Sequence, residues 1–159
     1  MKKILLLASL FFIFVWAPAQ TFVGKRTLSP LEKLNNEYCS DLFKTAEGTI
    51  LNVGYDPSAR AYLNILEWLQ GRVAGLQIYK QKDGVPIPYI RNSRASIYLD
   101  EMPVSAETLS MISSADIAMI KVIKTPFVGA FGNGNGGTIA IYTFKGDEDF
   151  EESGDDGQP

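Results

Sequence analysis

The 159-residue sequence contains no histidine and a single cysteine, Cys39. Without histidine, Ser-His-Asp and Cys-His catalysis are excluded, and the commonest zinc ligand is missing. One cysteine cannot form an intrachain disulfide. Cys39 sits in a helical stretch and reads as a small, half-buried hydrophobe rather than a nucleophile or redox thiol. Beyond Lys145 there is no basic residue, while Asp147, Glu148, Asp149, Glu151, Glu152, Asp155 and Asp156 crowd the end of the chain. The net charge of −3 is therefore uneven. No clustered Lys/Arg face appears, and an acidic tail repels phosphate, so no nucleic-acid partner is expected. Long apolar runs are also missing, except at the start. Ile4–Trp16 follows Met1-Lys2-Lys3 and precedes Ala17-Pro18-Ala19. That run is shorter than the roughly 20 residues a spanning helix needs. A basic start, a short apolar region and an A-x-A site describe a secretory signal peptide cut after Ala19. Nor is there a long series of alternating strands, so no barrel is expected within this sequence.

What remains divides into a leader (20–47), a domain (48–146) and an acidic tail (147–159) expected to be disordered. In the leader, Leu31, Leu34, Tyr38, Leu42 and Phe43 fit one amphipathic helix. Ser29 is its candidate cap, and Pro30 suits the first helical position. Thr49–Val53 reads as a strand. Asp56-Pro57 reads as a helix start, with Tyr62, Ile65, Leu66, Leu69 and Val73 at helical spacing and Gly71 and Gly75 at the end. Strands are expected at Leu76–Lys80, Ile87–Arg91 and Ser96–Asp100. Pro88 confines the second of these to an edge or a strand start. Met102–Val104 returns after a tight turn, and Ala106–Asp116 holds a short helix and a turn that Ser114 or Asp116 helps to close.

The densest pattern lies between Asp116 and Phe144. Two stretches rich in Ile, Val and Thr flank a run containing Gly129, Gly132, Gly134, Gly136 and Gly137. In the first, Ala118, Ile120 and Val122 share one face, and Ile117, Met119 and Ile123 the other. In the second, Ile139 and Ile141 oppose Ala140, Tyr142 and Phe144. Both faces are largely apolar, as in strands buried at the centre of a sheet. The glycines allow positive φ and close approach of backbones.

The series DIAMIKVIKT, PFVGAFGNGNGG and TIAIYTF resembles the end of the plug domain of TonB-dependent outer-membrane receptors, most closely the starch-utilisation type. Ile65–Ile78 (ILEWLQGRVAGLQI) and Ile90–Val104 (IRNSRASIYLDEMPV) resemble earlier parts of the same domain, in the same order. Two departures stand out. The family's Asp-Gly turn is Asp100-Glu101, so its glycine is lost and the turn either changes type or is strained. The family's Ile-Arg-Gly is Ile90-Arg91-Asn92, where Asn is the best substitute for Gly. The resemblance implies an α+β fold, a small mixed β-sheet with packed helices. It implies a non-catalytic stand-alone plug-like protein of the periplasm, accessory to outer-membrane transport, whose partner is a β-barrel or another envelope protein. An interaction module for surface-protein assembly or secretion is the alternative. Arginines of such a domain often face the barrel wall, making Arg72, Arg91 and Arg94 candidate partner-binding residues. No catalytic, metal or cofactor residues are expected. Gly132 to Gly137 contains G-x-G-x-x-G, but a strand-like stretch follows where nucleotide binding needs a helix. Asp100 and Glu101 point to opposite faces if extended, so they read as a solvated turn rather than an acid/base pair.

Overall fold

The computed structural model describes residues 27–125 and 136–146. The signal peptide, the start of the leader, Gly129–Gly134 and the acidic tail lie outside these. Among the described residues, no helix is long and apolar enough to cross a membrane.

The amino-terminal arm forms two helices rather than one. Helix α1 spans Pro30–Tyr38 and α2 spans Asp41–Thr45, with Cys39 and Ser40 extended between them. Ser29 caps α1 as expected, and Glu32 closes a capping box that the sequence reading overlooked. The break rotates the apolar stripe. Phe43 and Cys39 are buried, whereas Leu31 and Leu42 remain exposed.

Strand β1 (Thr49–Asn52) leads to a 3-10 turn at Ala59–Ala61 and helix α3 (Ile65–Leu69). The expected long helix from Asp56 is thus divided. Asp56 engages Ser58, through its amide and side chain, and Asn64 caps α3 by accepting from the Leu66 amide. Strands β2 (Leu76–Lys80), β3 (Pro86–Ile90) and β4 (Ser93–Arg94) form a three-stranded antiparallel sheet in that order. Pro88 therefore lies in a middle strand, against expectation. It is tolerated because β4 is only two residues long, and Pro88 needs to offer only its carbonyl, which the Ala95 amide reaches at 2.9 Å.

The main sheet has five strands in the order β1-β7-β8-β5-β6. Here β5 is Ser96–Leu99, β6 Met102–Val104, β7 Ile117–Ile123 and β8 Thr138–Thr143. Helix α4 (Ala106–Leu109) and a 3-10 turn at Ser114–Asp116 connect β6 to β7. The turn is closed by Ser113, which accepts from the Ala115 amide, while Ser114 bonds the Tyr62 carbonyl. β5 and β8 are parallel and the other pairs antiparallel, so this sheet is mixed. The inner face, including Ile120, Val122, Ile139 and Ile141, packs with α3 and the smaller sheet in the main core. The outer face carries Tyr98, Met119, Ile123, Ala140 and Tyr142 and packs with Cys39 and Phe43 of the arm. A bulge between Ile117 and Met119 moves Ile117 from the outer face, where simple alternation puts it, to the main core.

The end of the glycine run enters β8 under tight constraint. Gly137 has φ +90°, and a Cβ there would lie 2.4 Å from the Ile123 carbonyl oxygen; at Gly136 it would lie 2.3 Å from that of Ser93. Gly137→Val should therefore destabilise the chain by about 2 kcal/mol or more and lower Tm by roughly 10 °C. Thermal denaturation followed by circular dichroism checks this, and a near-native Tm contradicts the tight crossing. Ile120→Asp, which buries a carboxylate in the main core, should abolish cooperative unfolding in the same assay.

Candidate functional site

Lys121 lies in the middle of β7, opposite Ile50 on one side and Ala140 on the other. Only 1% of it is exposed. A buried ammonium needs acceptors for three protons, and all of its acceptors come from the arm. Nζ donates to Asn35 Oδ1 at 2.7 Å, the Phe43 carbonyl at 2.6 Å and the Lys44 carbonyl at 3.3 Å. The last two are carbonyls of α2, where the helix dipole favours a cation. Burial pulls the Lys121 pKa below that of an ordinary lysine.

Glu101 holds the other end of α2. The Ser40 amide donates to Glu101 Oε1 at 2.7 Å, and the Ser40 hydroxyl donates to Oε2. The Tyr142 hydroxyl also donates to Oε1, at 3.1 Å. Asp100 accepts from the Thr143 amide and hydroxyl, both at 2.9 Å. The Asp100-Glu101 turn lies at the surface as expected, with Asp100 exposed and Glu101 half-buried, but its carboxylates are bonded to the chain rather than to solvent alone. Both residues have positive φ, +47° and +67°. The hairpin keeps its tight geometry without glycine, and the bonds of the two carboxylates hold it there.

Between these contacts, the Phe43 ring meets Tyr98 edge-on, with centroids 5.2 Å apart. Ala140 separates Lys121 from Tyr98 along the sheet, and its small side chain leaves room for the ring. Cys39 is buried beside Tyr142. Burial pushes its thiol pKa up, partly offset by the hydrogen bond with Tyr142. This fits the small-hydrophobe reading rather than an activated thiolate.

The three arginines occupy different settings. Arg72 stacks over Trp68, its Cζ 4.4 Å from the ring centroid. It donates to the Trp68 carbonyl at 2.6 Å and the Ser58 hydroxyl at 3.1 Å, so its donors serve the chain itself. Arg91 is exposed in the turn between β3 and β4, where it and Asn92 have φ +50° and +66°, and Arg94 is exposed at the end of β4. Arg94 is close enough to Glu107 to help hold that carboxyl below its usual range, after the hydrogen bonds from Ser105 and the Glu107 backbone. Arg91 lies on a groove of about 680 Å³ that also takes in Lys44, Lys121, Lys124, Glu32 and Glu47. Arg91 and Arg94 therefore belong to one corner, and Arg72 to the α3 end. The sequence reading passed over Lys121 and assigned Glu101 to solvent. The available signal was a lone charge on the Met119–Ile123 face of an otherwise apolar strand.

No family model matches this chain, and no curated protein matches it. Among solved structures, it is similar to a chain of the RagAB peptide importer in its open-open state. That match has TM-score 0.50 and 20% identity over 62% of this chain and 12% of the other. A mutant ferric enterobactin receptor (PfeA) of Pseudomonas aeruginosa in complex with enterobactin matches with TM-score 0.50 and 20% identity, over 64% of this chain and 18% of that one. A double mutant of that receptor matches with TM-score 0.50 and 19% identity, over 75% and 19%. The chain thus spans less than a fifth of the proteins it matches. The likeness is one of fold: α+β, similar to the plug domains of TonB-dependent receptors.

The buried lysine gives a pH test. Between its lowered pKa and the ordinary value near ~10.4, the unfolded chain binds more protons, so this group makes stability rise with pH. Cys39 and Tyr142, both raised mainly by burial, act oppositely; the Lys121 charge lowers the Cys39 pKa, so its loss in a Lys121→Met variant steepens that opposing effect and moves the difference in the same direction. The stability of wild type minus that of Lys121→Met, from urea midpoints, should grow from about pH 7 to about pH 10. A constant difference contradicts the desolvated ammonium.

Proposed function

We propose that this chain is a non-catalytic plug-like protein of the cell envelope that docks to an outer-membrane β-barrel or another envelope protein and is accessory to TonB-dependent transport. The observation that carries this reading is the α+β fold around a five-stranded mixed sheet, similar as a whole to chains of a peptide importer and a ferric enterobactin receptor. The basic start, short apolar run and A-x-A site support export to the periplasm. Arg91 and Arg94, exposed at one corner with Lys124 close to Arg91 on the groove, are the charges best placed to meet an acidic partner surface. Arg72 serves the chain's own packing first.

A pull-down from cross-linked envelopes tests the reading. The tagged chain should fractionate with the outer membrane and capture a barrel protein. Joint Arg91→Glu and Arg94→Glu replacement should reduce that capture by about tenfold without lowering Tm, because both side chains are exposed. Arg72→Ala should instead lower Tm by a few degrees, since its stacking and hydrogen bonds are lost. A soluble periplasmic pool bound to a folding or secretion component would favour the surface-assembly alternative. Outer-membrane recovery with no barrel partner would count against the proposal.

A further inference from the structure

The groove beside β1 carries a charge that the described residues leave uncompensated. Lys44, Lys121, Lys124 and Arg91 line it, against only Glu32 and Glu47. Glu32 is already engaged in the capping box of α1, where it accepts from the Ser29 amide. Lys121 adds positive charge from beneath, because its acceptors are neutral and do not cancel it. Among the described residues, the side chains of Arg91 and Lys124 have no hydrogen-bond or ion-pair partner. Lys44 makes only a long bond, 3.4 Å, to the Asn36 carbonyl. A concave site lined by an excess of one charge concentrates its field. Other cations are more occupied. Lys80 is paired with Glu67 at 2.7 Å, and Arg72 serves Trp68 and Ser58.

The opposite charge is gathered in one segment of the same chain. The run from Asp147 to Asp156 holds seven carboxylates and no base. It also starts near the groove. Lys145 donates to the Glu37 carbonyl and lies over the Tyr38 ring, 5.2 Å from its centroid. These contacts fix the point of departure on the last turn of α1. Glu32, at the groove, lies five residues back along that helix, about 7.5 Å away along its axis. Residues 147–159 span up to about 43 Å when extended, so even the first acids reach the groove. A segment tethered this closely meets its site at an effective concentration on the order of millimolar.

We propose that the acidic segment 147–159 is the occupant of this groove, in an intramolecular contact that sets its carboxylates against Lys44, Lys124 and Arg91. The contact is electrostatic and asks no new fold of the segment. It shields Arg91 and Lys124, so an acidic surface that approaches them has to displace the tail first. It requires no partner, and its test is separate from that of envelope association.

Carbodiimide cross-linking of the full chain tests the contact, because it joins a carboxylate to an amine only where the two meet. Mixing unlabelled with isotope-labelled chains separates links within one copy from links between copies. Mass spectrometry should find tail carboxylates joined to Lys44 and Lys124 within one copy, at least about fivefold more often than to Lys80 or Lys82. Raising salt from about 0.05 M to about 0.5 M should reduce these links several-fold. Arg91→Gln removes an exposed charge but no amine, and should lower the Lys124 links by about twofold or more. As a second readout, replacing the tail acids by Asn and Gln should speed acetylation of Lys44 and Lys124 by about twofold and leave Lys80 unchanged. Links absent from Lys44 and Lys124, or spread evenly over all four lysines, overturn the groove as the site, as do equal acetylation rates in both chains. Links found only between unlabelled and labelled chains place the tail on a second copy and overturn the intramolecular contact.

Discussion

A lysine ammonium placed in the middle of a β-sheet is the constraint on which the outer half of this structure depends. Lys121 cannot reach water from its position on β7, and its acceptors are all neutral groups of the arm. Neutral acceptors satisfy the protons without cancelling the charge, so the ammonium favours the negative end of a short helix. That requirement accounts for much of the arm's shape. Asn35 must be on α1 while Phe43 and Lys44 must be on α2, and one continuous helix would not present all three to one point. The chain breaks at Cys39 and Ser40, and Glu101 takes up the Ser40 groups that the break exposes.

A second constraint is backbone conformation. Four residues with side chains, Arg91, Asn92, Asp100 and Glu101, adopt positive φ in two tight turns. Each such residue costs energy, of order 1–3 kcal/mol in unfavourable cases. At Asp100 and Glu101 the cost is offset by bonds from Thr143, Ser40 and Tyr142. Without a glycine in this turn, its two carboxylates tie the hairpin to β8 and to the arm. At Gly136 and Gly137 no such exchange is open, because main-chain oxygens occupy the space a Cβ would need.

These constraints explain which parts of the structure were legible in the sequence. Strands β2, β5, β7 and β8 were readable from their β-branched and aromatic content and their definite ends. The short elements were misread where tertiary contacts decide. Asn64 rather than Asp56 starts α3, since the turn at Ala59–Ala61 intervenes. Ile117 changes face through a bulge that no composition signals. Lys121 was visible as a lone charge on an apolar face, but its partners lie more than seventy residues away in the arm. Glu101 looked like a solvated turn residue because its role exists only once Ser40 is brought to it. Of the three arginines, sequence could not tell Arg72, engaged with Trp68 and Ser58, from the exposed Arg91 and Arg94.

The central claim is that the arm is a separate layer, held on a finished sheet by the contacts of Lys121, Glu101 and Phe43. Native-state hydrogen exchange measures this directly. The arm amides that are bonded within the chain, such as Lys44 and Ala46, should exchange through an opening several-fold more frequent than the opening that exposes β7 and β8, and increasing urea should affect it less. If those amides exchange only with global unfolding, at the same rate and urea dependence as Ile120 and Ile141, the arm is an inseparable part of the core and the account is contradicted.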